Sequence, residues 1–218
     1  VGMYLSSHPL DQYRFEMENF ASCQLTEIDG IVAECQETKT KKKVTVAGFV
    51  ISSQTMLGKS GKPWSKTVIE DFSGSYELAF FGKDHEAYMN YMQLNNALYI
   101  EAEIDEKYYI KPEDRAKGKT SDYAFKVRKI MLLGNVTETY LKGFSISITT
   151  TMLSPDFRKD LVNLLKNHKG NIPLNMYLHD PEKGWNIEFL ARKYKVAVTD
   201  QLINDLHKMG IMYNVIKK

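Results

Sequence analysis

Residues 44–51, Val44-Thr45-Val46-Ala47-Gly48-Phe49-Val50-Ile51, are a β-branched and aromatic run that favours a strand over a helix. Gly48 falls where a strand in a small barrel would bend. Residues 57–63, Leu-Gly-Lys-Ser-Gly-Lys-Pro, form a turn by composition. The chain then alternates over 64–71, with Ser65, Thr67 and Ile69 on one face and Trp64, Lys66, Val68 and Glu70 on the other. Phe72-Ser73-Gly74 reverses it, and Tyr76, Leu78 and Phe80 alternate with Glu77 and Ala79. These last two runs predict a hairpin.

The period then changes. Tyr88, Met89, Tyr91 and Met92 recur at helical spacing, which predicts one amphipathic helix over 83–94. Strand character returns at 97–104 and 123–133. A charged segment, 105–122, separates them and is interrupted by Pro112 and Gly118. Three strands, a helix and two strands joined by a long loop is the order of a five-stranded OB-fold barrel, whose second and third strands and first–second and fourth–fifth loops form an oligonucleotide surface.

On that surface the first–second loop carries Lys59 and Lys62, and the second strand presents Trp64 and Lys66. The fourth–fifth segment adds Lys107, Tyr108, Tyr109, Lys111, Arg115, Lys117 and Lys119. Aromatics among cations suit single-stranded nucleic acid, because bases stack on rings while cations neutralise phosphates. Such binding is salt-sensitive and largely blind to sequence. The alternative is that Trp64 closes an end of the barrel and the lysines serve solubility.

Charge divides the chain further. The total is +2 over 218 residues, but residues 1–38 hold seven acidic residues against Arg14, a net −6, whereas 39–133 and 134–218 each carry +4. The sign changes at Lys39, Lys41, Lys42 and Lys43, which reads as a linker before the barrel. Cys23 and Cys35 are too few for a disulfide framework or a zinc site, so reduced thiols in a cytoplasmic protein are expected. No apolar run approaches the ~18 residues that cross a bilayer, so no membrane partner is expected. The chain begins at Val1 without a signal pattern, as a piece cut from a longer chain would.

After Gly134 a second pattern begins. Residues 141–149 alternate as a strand, and Ser154-Pro155 starts a helix with Phe157, Leu161, Leu164 and Leu165 as its apolar stripe and Gly170 as its end. Strands at 172–178 and 185–190 flank a turn at 181–184, and Val196 and Val198 continue an extended stretch. Thr199 caps a second helix bearing Leu202, Ile203 and Leu206, Gly210 stops it, and 211–216 closes as a strand. His168, His179 and His207 are far apart in sequence, and Asp156, Asp160, Asp200 and Asp205 lie on the helices, where acids in a first turn suit the dipole. No catalytic constellation, metal site or cofactor site emerges, which argues against a free-standing nuclease.

The first residues are the most specific. Tyr4-Leu5-Ser6-Ser7-His8-Pro9-Leu10-Asp11-Gln12-Tyr13, preceded by Gly2, resembles the GxYLSGHPLDxY segment of the alpha subunit of bacterial DNA polymerase III, with Ser7 where that family usually has Gly. Locally, His8-Pro9 stops one helix and Asp11 can cap the next. The resemblance continues in order through residues 44–48, the 59–63 turn, Ile69-Glu70-Asp71-Phe72-Ser73-Gly74 and Phe80-Phe81-Gly82, and more weakly after Gly134.

The resemblance implies three parts: a helical connector from the upstream polymerase domains at 1–42, an OB-fold domain at 43–134 and a small α+β C-terminal domain at 135–218. It implies a DNA-directed DNA polymerase whose palm, metal-binding domain and clamp-binding peptide lie upstream. What remains is a noncatalytic region that binds single-stranded template DNA and docks the tau subunit of the clamp loader. An RNA-binding module, such as the anticodon-binding OB domain of aminoacyl-tRNA synthetases, fits the strand order equally and the His8-Pro9 segment poorly. A barrel that binds only protein also stays open.

Overall fold

In the computed structural model, which describes residues 8–218, the strand predicted over 44–51 runs farther, as β1 (Lys42–Leu57). Its first half pairs with β4 (Ala97–Glu106), its second half with β2 (Pro63–Glu70), and the register slips between Val50 and Ser52. The irregularity therefore lies at Ile51, not at Gly48. A Cβ at Gly48 would stand 3.2 Å from Ile69 and 3.3 Å from Leu25, so close packing accounts for that glycine.

β3 (Ser75–Phe81) and β5 (Tyr123–Leu132) complete an antiparallel sheet of order β3-β2-β1-β4-β5. The strand sequence is the predicted one. Among the described residues no ladder joins β3 to β5, so the sheet is open rather than a closed barrel. It curls enough for the Tyr76 and Phe125 rings to meet at 5.5 Å. Alternation on β2 follows the predicted faces, with Ser65, Thr67 and Ile69 buried and their neighbours half-exposed.

Ahead of β1 lie α1 (Arg14–Phe20) and α2 (Ile28–Thr38). Leu25 and Ile28 share one core with Val46, Val50, Ile69, Leu78, Phe80, Leu98 and Ile100. Full burial of each such side chain contributes about 1.5–3 kcal/mol, so α2 and the turn that leads into it are part of this unit's stability. Residues 1–7, with Gly2 and Tyr4-Leu5-Ser6-Ser7 of the motif, lie outside the described residues. Within them, His8 Nδ1 accepts from the Leu10 N–H at 3.2 Å while the Asp11 carboxylate accepts from the His8 N–H at 2.7 Å. Asp11 thus reaches back along the chain, and α1 has no side-chain cap.

Two other elements differ from expectation. The helix predicted over 83–94 is the short α3 (Lys83–Tyr88), because Tyr91 and Met92 donate to carbonyls three residues back and Asn96 Nδ2 donates to the Tyr91 carbonyl. Met92 is still buried, but Met89 is half-exposed. In the 105–122 segment Pro112 does not interrupt; it opens α4 (Pro112–Ala116) at a first helical position, where a missing N–H costs nothing.

The chain divides after Gly134 into a second unit. It contains α5 (Val136–Tyr140), β6 (Leu141–Thr149), α6 (Pro155–Asn167), β7 (Lys169–Asp180), β8 (Trp185–Val196), α7 (Asp200–Lys208) and β9 (Met212–Lys217). The sheet order is β8-β7-β6-β9, with β6 and β7 parallel across the α6 crossover. Ser154 accepts from the Phe157 N–H and Thr199 from the Leu202 N–H, the caps their types predict. Gly210, at φ +69°, follows α7 as expected. Gly170 does not end α6; it lies inside β7, against Ala197.

Candidate nucleic-acid interface

β2 sits between β1 and β3, so Trp64 stands opposite Met56 on one side and Phe81 on the other. The indole stacks on the Phe81 ring at 5.0 Å and 14°. Phe81 is 60% exposed, which leaves this aromatic pair on the outer face of the sheet. Phe81 is not among the surface residues expected from the sequence, although the two-residue period that buries Phe80 sends Phe81 outward.

The β1–β2 turn closes through Gly58 N–H to the Lys62 carbonyl at 2.9 Å, with Lys59 and Lys62 exposed beside Trp64 in the chain. Neither lysine has an ion-pair partner among the described residues. One row along β2, Lys66 is held by Glu77 at 2.6 Å, so its charge is largely compensated.

The long segment between β4 and β5 is similarly self-neutralised. Arg115 forms two bonds to the Glu106 carboxylate, at 2.8 and 2.6 Å, and this pairing holds the Glu106 carboxyl below its usual range. Lys119 pairs with Asp114 at 3.1 Å. Lys107, Lys111 and Lys117 have no ion pair among the described residues, and Tyr108 and Tyr109 are 67% and 83% exposed.

Between the free edges of β3 and β5 runs a groove of about 430 Å³. Phe81 and Lys107 line it together, as do Lys126 and Arg128, with Glu77 and Asp84 as acids. Tyr109, Lys111, Arg115, Lys117 and Lys119 do not line this groove. Lys126 and Arg128 lie on β5, outside the strands and loops that the sequence reading assigned to the surface. Lys126 Nζ donates to the Glu106 carbonyl, and Arg128 pairs with Glu103 at 2.8 Å.

Cys35 is buried beside Val44, Ala102 and Ile104, and burial pushes the Cys23 thiol up. Among the described residues no three His, Cys, Asp or Glu side chains converge as a metal site would require. No helix among them is long and apolar enough to cross a membrane.

Residues 144–215 match the model of the DNA polymerase III alpha subunit, C-terminal domain. The chain is 25% identical over 210 residues to the DNA polymerase III subunit alpha of Vibrio cholerae, covering 96% of this chain and 17% of that protein. It is 26% identical over 207 residues to that of Haemophilus influenzae and 24% identical over 208 residues to that of Escherichia coli K12, in each case over 94% of this chain and 16% of the relative. The chain thus spans about one-sixth of the length of the curated relatives it matches. The chain is thus similar over nearly its whole length to DNA polymerase III alpha subunits, and residues 144–215 resemble the C-terminal domain of that subunit.

Proposed function

We propose that the chain is a noncatalytic part of a replicative polymerase alpha subunit that holds single-stranded template DNA on the β1-β2-β3 face and docks the tau subunit of the clamp loader through the second unit. The observation that carries the DNA half is the exposed Trp64–Phe81 stack beside Lys59 and Lys62. A base adding to such a stack gains roughly 1–3 kcal/mol, and the adjacent lysines supply phosphate contacts. The strand order supports reading the first unit as an OB-fold with its β3–β5 seam open. The tau half rests on the likeness of residues 144–215 to the alpha subunit's C-terminal domain, and the link to upstream polymerase domains on the relatives' greater length.

Fluorescence anisotropy with a labelled single-stranded oligodeoxynucleotide at low salt tests the DNA half. Binding that weakens on Lys59→Glu/Lys62→Glu is expected. No binding by the 218-residue chain, or much tighter binding of folded tRNA, overturns it. For the tau half, co-sedimentation of the chain with purified tau is expected, and its absence counts against the assignment.

A further inference from the structure

β7 and β8 lose register at one place in the second unit. Lys169 and Ile172 both stand opposite Val196, and between the pairs Pro173–Lys195 and Asn175–Leu190 β8 carries residues 191–194 against Leu174 alone. Local chemistry explains the break. Pro173 has no N–H to give the ladder. At Gly170 a Cβ would stand 2.3 Å from the Ala197 nitrogen, so only glycine allows the backbones to approach this closely. Bulges re-aim the side chains they carry.

Here they open a pocket of about 440 Å³ over the buried Leu165. Five of its lining residues are cations: Lys166, Lys169, Arg192, Lys193 and Lys195. No Asp or Glu lines it, and none of the five is in an ion pair among the described residues. The contrast with the β4–β5 segment of the first unit is direct, since there Arg115 and Lys119 are each answered by an acid. Cations of one sign gathered in a concave site repel one another and concentrate anions.

We propose that this pocket binds closely spaced phosphate groups, supplied by the backbone of a nucleic-acid strand or by a free polyphosphate such as a nucleoside triphosphate. A phosphate carries its charge on a compact group that the Arg192 fork can grip through two bonds. The half-buried Tyr194 gives a base a ring to stack on. An acidic peptide uses neither the ring nor the enclosed shape as well. The site lies in the second unit and does not depend on how the Trp64–Phe81 face functions.

Isothermal titration of the full chain with inorganic triphosphate at low salt is the test. Binding is expected, and Arg192→Glu/Lys193→Glu should weaken it at least about tenfold. Reversal of an exposed lysine outside the pocket, Lys183→Glu, should leave it within about twofold. Arg192→Gln/Lys193→Gln, which adds no repulsion, should give an intermediate loss. An oligodeoxythymidylate that displaces triphosphate assigns the pocket to a strand; one that does not assigns it to free polyphosphate. The proposal is overturned by absent triphosphate binding, by equal effects of the pocket and control reversals, or by a polyglutamate peptide that binds more tightly than both phosphate probes.

Discussion

The carboxylate of Asp71 accepts a hydrogen bond from the backbone N–H of Leu25, 46 residues earlier, at 2.8 Å. Its other oxygen accepts from the Ser73 N–H at 2.7 Å, the Ser73 hydroxyl at 2.5 Å and the Gly74 N–H at 3.1 Å. One buried side chain therefore folds the β2–β3 turn and ties the segment before α2 to it. Asp71→Ala leaves these donors without their acceptor and is expected to cost roughly 2–4 kcal/mol. Asp71→Asn, which keeps the shape, should cost less. Urea unfolding of the full chain measures both, and an alanine loss below about 1 kcal/mol would contradict this role.

Trp64 offers an optical readout. The chain has two tryptophans, so Trp185→Phe leaves Trp64 as the reporter. Adding a single-stranded oligonucleotide should quench its emission as bases stack on the Trp64–Phe81 pair. Phe81→Ala should weaken binding by about 1–3 kcal/mol, or 5- to 150-fold. Unchanged emission at saturating oligonucleotide would place the strand elsewhere.

Legibility in the sequence followed how local each cause is. Ser154 and Thr199 cap their helices because the capping bond spans three residues, and β2 alternates because its burial repeats every two. Failures came where distant partners decide. Gly48 and Gly170 answer to Ile69 and Ala197, which no local pattern reveals. The helix over 83–94 stops at Tyr88 for a nearer reason, since the Tyr91 and Met92 N–H groups bond carbonyls three residues back and tighten the chain into turns. At the candidate site, residue type singled out Trp64 and the lysines as candidates. It could not tell that Lys66, Arg115 and Lys119 are answered by Glu77, Glu106 and Asp114, since charge compensation is a matter of distance.

That difference has a measurable consequence. The slope of log affinity against log salt counts phosphates neutralised, at about 0.7 per contact for single strands. Lys59→Ala/Lys62→Ala removes two cations without acidic partners, so the slope should shrink by about 1.4. Arg115 is already committed to Glu106 through two bonds, so Arg115→Ala should move it by well under one contact. Equal slope changes for the two variants would mean that the ion pair opens on binding.

Gly170→Ala tests the strand break without touching a charge. The new methyl would meet backbone atoms of Val196 and Ala197 at 2.3–2.6 Å, and backbone cannot swing aside as a side-chain tip can. A loss of about 2 kcal/mol or more is expected in thermal or urea unfolding. A loss under about 0.5 kcal/mol, the range of ordinary surface changes, would mean that β7 and β8 separate freely there.

Asp205 makes the stability of the second unit depend on pH. Its carboxylate accepts from Gln201 Nε2 and Lys208 Nζ at 3.0 Å each and lies 3.1 Å from His168 Nε2. Bonds from Gln201, then Lys208, then His168 hold its pKa at about 2, down from 3.8. A depressed carboxylate stabilises the fold above its unfolded value, and the gain disappears as pH falls through the folded one. The window is therefore pH 3.8 down to about 2. Asp205→Asn should lower the urea midpoint at pH 6, and the gap from the parent chain should narrow across that window. A gap that stays constant from pH 6 to about 2 would show that the bonds matter through shape rather than charge.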